Sequence, residues 1–121
     1  MSVLAHHTPE AEEYFFREGC YILELWNDEV DPELSIARAR VEPGVSTTLH
    51  ELKQTTERYL VLSGSGIFRS GKQRIDLIPG KVIMIPSDVP QSVTNNGTVD
   101  LVFLAFCTPR FRPENYRESD R

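Results

Sequence analysis

Three side chains that can bind a metal ion or move protons, His50, Glu57 and Gln91, lie in segments rich in β-forming residues and bounded by glycine and proline. On a β-strand, residues two apart share a face. His50 therefore points the same way as Leu52, and Glu57 points the same way as Tyr59. If these faces turn inward, an imidazole, a carboxylate and a carboxamide meet in an apolar interior, where they must pair or bind an ion.

A divalent metal is one occupant that this group predicts. Histidine nitrogen and carboxylate oxygen suit Zn, Fe, Mn, Ni or Co, and glutamine oxygen is a weaker third ligand. With His50, Glu57 and Gln91 as ligands, open positions would remain for water or a substrate oxygen. The same three residues could instead form a hydrogen-bonded cluster without metal, and both interpretations stay open at this point.

Four further side chains are candidates for contact with a substrate. Tyr59 offers a phenol on the face of Glu57, and Leu52 would make one wall of the cavity apolar, although both residue types also simply pack in cores. Arg38 and Arg40 share one face of a strand. Turned inward, they would clamp a carboxylate or phosphate; turned outward, they would mark the solvent side.

The elements that must position these residues are short β segments separated by turns, which predicts an all-β barrel or jelly roll. The predicted segments are Cys20–Trp26, Leu34–Val41, Ser46–Leu52, Glu57–Leu62, Gly66–Arg69, Arg74–Leu77, Lys81–Ile85, Gln91–Asn95 and Leu101–Cys107. Before them, Thr8-Pro9-Glu10-Ala11-Glu12 predicts either a short helix or an arm that packs on a partner subunit. After them, residues 110–121 are polar enough to form a surface tail.

The spacing of Gly44, His50, Glu57 and Gly64 resembles the first motif of the cupin family. That motif runs glycine, five residues, His-x-His, three or four residues, glutamate, six residues, glycine. Every interval matches here, but Leu52 stands where the second histidine belongs. This motif holds two of the three residues described above, His50 and Glu57.

The second cupin motif is glycine, five residues, Pro-x-Gly, two residues, histidine, three residues, asparagine. Gly80, Pro86 and Asn95 keep its spacing, while Asp88 replaces the glycine and Gln91 replaces the histidine. The resemblance implies a double-stranded β-helix of the cupin type. It gives a single domain over residues 1–121, with an N-terminal arm (1–18), a barrel (19–108) and a C-terminal tail (109–121).

The resemblance also implies a homodimer joined through N-terminal strands. The segment Tyr14–Trp26 is rich enough in apolar and aromatic residues to serve as such an interface. A net charge of −5 over 121 residues argues against a nucleic-acid or anionic-membrane partner. With no apolar run long enough to span a bilayer, we expect a cytoplasmic protein whose Cys20 and Cys107 are free thiols.

Three functions follow from these residues and from the resemblance. The first is a metal-dependent enzyme of the dioxygenase, isomerase or lyase type, which binds a small polar or anionic substrate in the barrel. The second is a metal-free enzyme that uses His50 and Glu57 as an acid–base pair, as epimerase cupins do. The third is a non-catalytic module that binds a sugar or another small molecule.

Overall fold

The computed structural model describes residues 2–119, which form antiparallel strands in two facing layers. The strands are β1 (Tyr14–Phe16), β2 (Cys20–Trp26), β3 (Ser35–Val41), β4 (His50–Leu52), β5 (Thr56–Ser63), β6 (Gly66–Ser70), β7 (Gln73–Leu77), β8 (Val82–Ile85), β9 (Ser92–Thr94), β10 (Leu101–Thr108) and β11 (Tyr116–Glu118). Two short 3₁₀ helices, Glu10–Glu12 and Pro113–Asn115, lie near the ends of the chain. The all-β prediction is confirmed.

One layer is a six-stranded sheet in the order β1-β2-β3-β10-β5-β8. The other layer combines the three-stranded sheet β7-β6-β9 with the pair β11-β4. Isolated bridges between Ser46 and Thr94 and between His50 and Gln91 connect these two parts. From β3 to β6 and again from β7 to β11, consecutive strands lie in opposite layers, as in a jelly roll, whereas β1–β3 and β6–β7 each stay within one layer.

Strict alternation of buried and half-buried residues places the core between the layers. In β10 the residues Leu101, Phe103, Ala105 and Cys107 point inward, and the residues between them face out. The nine predicted segments correspond to β2–β10, although four strands are shorter than predicted. β3 and β8 each begin one residue later, and the regular strands β4 and β9 are only His50–Leu52 and Ser92–Thr94. Alternation of apolar and polar residues in the sequence predicts which side chains share a face of a strand, but it does not determine where the strand ends.

The N-terminal segment packs on the outer face of the six-stranded sheet. The predicted short helix is a single 3₁₀ turn, and the hydroxyl of Thr8 donates to the backbone carbonyl of Glu24 at 2.6 Å instead of capping that turn. Strand β1 then pairs with β2 as a hairpin at the sheet edge. Phe15 on β1 is 60% exposed, so the apolar N-terminal interface and the homodimer stay predictions.

The C-terminal segment corrects the sequence prediction of a surface tail. Residues 116–118 form β11, which pairs with β4 in the register Tyr116–Leu52 and Glu118–His50. Tyr116 is only 3% exposed. The tail prediction was wrong here because a single buried aromatic residue outweighs the polar residues around it. Within residues 2–119, no helix is long and apolar enough to cross a membrane.

Candidate active site

A cavity opens at one end of the barrel, where three strands bring their termini together. The register of the six-stranded sheet aligns Cys107 near the end of β10 with Ser35 at the start of β3 and with Glu57 near the start of β5. His50 and Leu52 approach from the opposite layer, and Phe16 and Tyr116 close the sides. The cavity has a volume of ≈ 60 Å³ and is mostly apolar apart from a few titratable groups.

His50 is the most firmly held of these groups. Its Nδ1 donates to the backbone carbonyl of Thr48 at 2.8 Å, so the Nε2 atom is directed at the site. There, Nε2 lies 3.0 Å from Oε2 of Glu18, a residue in the turn between β1 and β2. The ring of Tyr116 stacks on the imidazole at a centroid distance of 5.1 Å and fixes its plane.

These contacts determine the charge of His50. Burial acts to lower the pKa of the imidazole, but the hydrogen bond and charge of Glu18 outweigh it, with help from the Thr48 carbonyl and the Glu57 charge. The net effect is a raised pKa. The raised pKa favours an imidazolium that pairs with the Glu18 carboxylate and donates from both ring nitrogens.

Glu57 is the second titratable group in the cavity. Burial, followed by the charge of Glu18, raises the pKa of its carboxyl group to about 7, although His50, Gln91 and Cys107 act in the opposite direction. A carboxyl group with this pKa exists in both protonation states near neutral pH. Such a group can accept or donate a proton under physiological conditions.

Gln91 holds the carboxyl group of Glu57 from the core side. Its Nε2 donates to Oε1 of Glu57 at 3.0 Å, and its carboxamide oxygen accepts the hydroxyl of buried Tyr59. Gln91 is 1% exposed and Tyr59 is 4% exposed, and neither side chain lines the cavity. The chain Tyr59–Gln91–Glu57 thus orients the carboxyl group from the core.

The Cupin domain family matches residues 37–107, which run from within β3 to within β10 and hold His50, Glu57 and Gln91. The chain belongs to the cupin family. An uncharacterized protein of Methanocaldococcus jannaschii is 26% identical over 117 residues, which are 95% of this chain and 94% of that protein. The oxalate-binding protein of Thermotoga maritima is 35% identical over 69 residues, 57% of each chain.

Solved structures share the same barrel. A variant of Streptomyces Pac13 with uridine superposes with a TM-score of 0.77 at 19% identity, covering 97% of this chain and 92% of that one. Pac13 is described as a nucleoside dehydratase. At this identity the likeness shows the fold, a double-stranded β-helix, and it confirms the fold that the motif spacing predicted.

The metal set that the cupin motifs predicted does not fit the observed donor atoms. Leu52 offers none, and the carboxamide oxygen of Gln91 is taken by Tyr59 while its N–H groups face Glu57. Among residues 2–119, no three His, Cys, Asp or Glu side chains are arranged to hold an ion. Metal binding by His50, Glu57 and Gln91 therefore stays a prediction that this geometry does not support.

Of the predicted substrate contacts, the structure brings only Leu52 to the cavity, as an apolar wall that is 4% exposed. Arg38 and Arg40 lie on the outer face of β3. Arg38 binds Glu10 through two bonds of 2.7 and 2.6 Å, and Arg40 binds Glu13 at 2.7 Å. Their predicted clamp on a substrate therefore has no geometric support.

Each cysteine of this cupin lies beside a carboxylate of the site. Both are free thiols, and Sγ of Cys20 donates to Oε1 of Glu18 at 3.2 Å, while Sγ of Cys107 lies 3.9 Å from Oε2 of Glu57. Burial raises the pKa of both thiols, and the neighbouring carboxylate charges raise it further. The thiols are therefore protonated and act as weak hydrogen-bond donors rather than as nucleophiles.

Sequence reasoning missed Glu18 and Tyr116, which both touch His50. Glu18 lies in a turn outside the two motifs, and strand alternation says nothing about where a turn residue points. Tyr116 carried one weak signal, since it is an aromatic residue in an otherwise polar segment. Both residues reach the site through long-range pairing that local patterns do not encode.

Proposed function

We propose that this cupin is an acid–base enzyme of the isomerase, epimerase or lyase type, in which His50 and Glu57 move protons on a small polar substrate. The supporting observation is the pairing of unlike groups in one cavity. The imidazolium of His50, held by Glu18, is a proton donor, and the carboxyl group of Glu57, with its pKa of about 7, is a proton acceptor once ionised. Groups with opposed roles in one site are typical of acid–base catalysis.

The proposed step is proton abstraction next to a carbonyl. The carboxylate of Glu57 takes a proton from the carbon, and the C–H electron pair forms the enol double bond while the carbonyl oxygen receives a proton from Nε2 of His50. To reach Nε2, that oxygen takes the position where Glu18 now accepts the hydrogen bond. Return of the proton to the same carbon gives an epimer, and its transfer to the adjacent carbon, while the other enediol oxygen gives its proton to His50, gives an isomer. For elimination, the protonated Glu57 gives its proton to a β-hydroxyl, which leaves as water while the enol oxygen returns its proton to His50.

The comparisons support this class without determining the substrate. The Pac13 barrel serves a dehydratase, so a barrel of this shape is compatible with elimination chemistry. The match to the oxalate-binding protein is compatible with a small oxygen-rich ligand, over the 69 residues that it covers. Neither relationship distinguishes catalysis from binding.

The experiment is hydrogen exchange in D₂O, followed by NMR. The purified protein is incubated with EDTA and a panel of aldoses, ketoses and 2-oxo acids, and deuterium at the carbon next to the carbonyl is measured. We expect incorporation that is insensitive to EDTA and that falls at least ~100-fold in Glu57→Gln. Glu42→Gln, which removes an exposed turn carboxylate, is the matched control and should exchange like the parent.

Two outcomes would replace the proposal. Exchange or turnover that disappears with EDTA and returns with added Mn, Ni or Zn would restore the metal-dependent enzyme that the cupin motifs predicted. Ligand-induced thermal stabilisation with no exchange, unchanged in Glu57→Gln, would favour the non-catalytic binding module.

A further inference from the structure

A second, larger pocket that is open to solvent adjoins the first and forms its vestibule. It lies between the end of β2 and residues 110–114, and it shares Tyr14, Glu24 and Phe111 with the inner cavity. Its volume is ≈ 530 Å³, against ≈ 60 Å³ inside. A substrate that reaches His50 with one end can therefore keep most of its bulk in the vestibule.

Arg110 is held rigidly in the wall of this vestibule. Its Nη1 donates to Oδ1 of Asn27 at 3.0 Å, and Nδ2 of Asn27 donates to the backbone carbonyl of Phe111 at 2.9 Å. The backbone N–H of Arg110 also donates to the carbonyl of Pro32 at 3.1 Å. The guanidinium group is thus positioned before any ligand arrives, which lowers the entropic cost of binding.

The guanidinium group of Arg110 also has N–H donors without a partner in the described part of the chain. Within residues 2–119 it pairs with no carboxylate, and its Nε–H is buried without an acceptor. Arg38 also has a buried Nε–H without an acceptor among these residues, but Arg38 and Arg40 each pair with a glutamate of the N-terminal segment. Within residues 2–119, Nη1 makes the one side-chain hydrogen bond of the Arg110 guanidinium group, and Arg110 lines the vestibule, so an incoming anion can gain a charge-assisted bond from the remaining Nη2 group.

The charged groups that line the inner cavity are mainly carboxyl groups, whereas those that line the vestibule are two arginines and two glutamates. The inner cavity is lined by Glu18, Glu24 and Glu57 against the single cation His50, so a second anion inside would be repelled. The vestibule adds Arg110 and the exposed Arg112, opposed by Glu24 at the junction and exposed Glu114 at the rim. An anionic group is therefore favoured beside Arg110 and disfavoured beside Glu57.

We propose that Arg110 binds an anionic group of the substrate, a carboxylate or a phosphate, while the uncharged carbonyl or hydroxyl end enters the inner cavity. The substrate class is then an oxygen-rich acid or a phosphate ester, oriented with its charge outward. The assignment rests on the proposed function in taking the inner cavity as the place of reaction. Anion binding itself can be measured without turnover.

The test is an NMR titration of ¹⁵N-labelled protein at low salt with malonate, inorganic phosphate and the neutral analogue malonamide. The Arg110 Nε–H resonance, assigned by its absence in Arg110→Gln, should shift with malonate or phosphate and not with malonamide. Which anion binds more tightly distinguishes a carboxylate from a phosphate substrate. In Arg110→Gln, calorimetry should show the affinity for that anion falling about tenfold or more.

Arg74→Gln, which removes an exposed arginine on β7, is the matched control and should bind like the parent. Glu57→Gln should also keep anion binding, so failure of the proton-transfer proposal would leave this result standing. The assignment is overturned if neither anion shifts the Arg110 resonance, or if His50→Asn loses anion binding while Arg110→Gln retains it. The latter result would place the anion on the imidazolium instead.

Discussion

The two ends of the barrel are built from the same strands but differ in how their polar groups are satisfied. At the cavity end, β3, β5 and β10 contribute Ser35, Glu57 and Cys107, and titratable groups face open space. At the opposite end, the same strands contribute Val41, Ser63 and Leu101, and both Val41 and Leu101 are fully buried. Titratable side chains therefore line a cavity at one end, whereas the other end is closed by packed apolar residues.

Asn95 shows how completely the closed end is satisfied. Its Nδ2 donates to the carbonyls of Val41 and Val99, each at 2.8 Å, and its Oδ1 accepts the N–H of Gly97 at 2.9 Å. Its backbone bonds both Val45 and Gly44. Nothing remains for a ligand, so this motif residue serves the fold.

The difference shows that the residues of the cupin motifs have two separate roles. Gly64 and Asn95 are structural residues at the packed end, while His50, Glu57 and Gln91 lie at the cavity end. A chain can therefore change ligand positions, as at Leu52 and Gln91, and keep the barrel. Substitutions at the two ends should then separate stability from chemistry.

The largest expected effect is at the closed end, in Gly64→Ala. Gly64 has φ +80°, and a Cβ there would lie 2.3 Å from the carbonyl oxygen of Asp100. Left-handed strain and overlap with backbone together should lower the free energy of unfolding by about 3 kcal/mol. Urea unfolding followed by circular dichroism at pH 7 measures the loss.

Gly71→Ala is the matched control, because it has φ +56° but nothing within 4 Å of the added Cβ. It should cost only the backbone strain, about 1 kcal/mol. Equal losses in the two variants would show that the overlap with Asp100 relaxes freely, and that the closed end is less rigid than its packing indicates.

The next effect lies at the cavity end and depends on pH. Since the pKa of Glu57 is 4.5 as a free group and about 7 in the folded protein, the folded state holds the extra proton between these values. Stability therefore falls as the pH rises through that window, by about 3 kcal/mol. His50 acts in the same direction, because the stabilisation from its raised pKa is lost as the pH rises through the folded value.

Glu57→Gln should remove the glutamate component, so its free energy of unfolding should fall less between pH 5 and pH 8 than that of the parent. Urea titrations at both pH values measure this difference, with Glu42→Gln as the control that keeps the parent profile. A parallel fall in Glu57→Gln and the parent would mean that Glu57 is ionised throughout, and it would remove Glu57 as the proton carrier.

Much of the fold could be predicted from the sequence because it depends on local signals. Turn residues separated the strands, and period-two alternation showed which residues share a face. The structure then shows that His50, Tyr59 and Gln91 point inward, since all three are buried. The spacing of the motifs indicated the family. The predicted C-terminal tail failed because β11 forms only by pairing with β4, a contact across more than sixty positions of the chain.

The site was harder to predict than the fold. Spacing brought His50, Glu57 and Gln91 together, but it could not show that Tyr59 takes the carboxamide oxygen of Gln91. The spacing also could not show that Glu18, which lies in a turn, contacts His50. Hydrogen-bond direction and turn geometry distinguish a set of metal ligands from an acid–base pair. Neither of them produces a periodic pattern in the sequence.

The smallest effect is expected for Tyr116→Phe. This substitution tests whether the Tyr116 hydroxyl at the cavity end serves to bind a ligand. The Tyr116 hydroxyl is buried without a hydrogen-bond partner among residues 2–119, although the ring lines the cavity. Removing it should raise the free energy of unfolding by about 1 kcal/mol, because an unsatisfied polar group is lost while the ring keeps its contacts with His50 and Phe16.

Urea unfolding measures that gain, and the exchange assay in D₂O gives the second readout. If the hydroxyl is reserved for substrate, Tyr116→Phe should be more stable and yet exchange more slowly, with the loss in KM rather than in kcat. A variant that is less stable than the parent would contradict this expectation, since it would show that the hydroxyl is already satisfied. The cavity end would then resemble the closed end, with its polar groups committed to the fold.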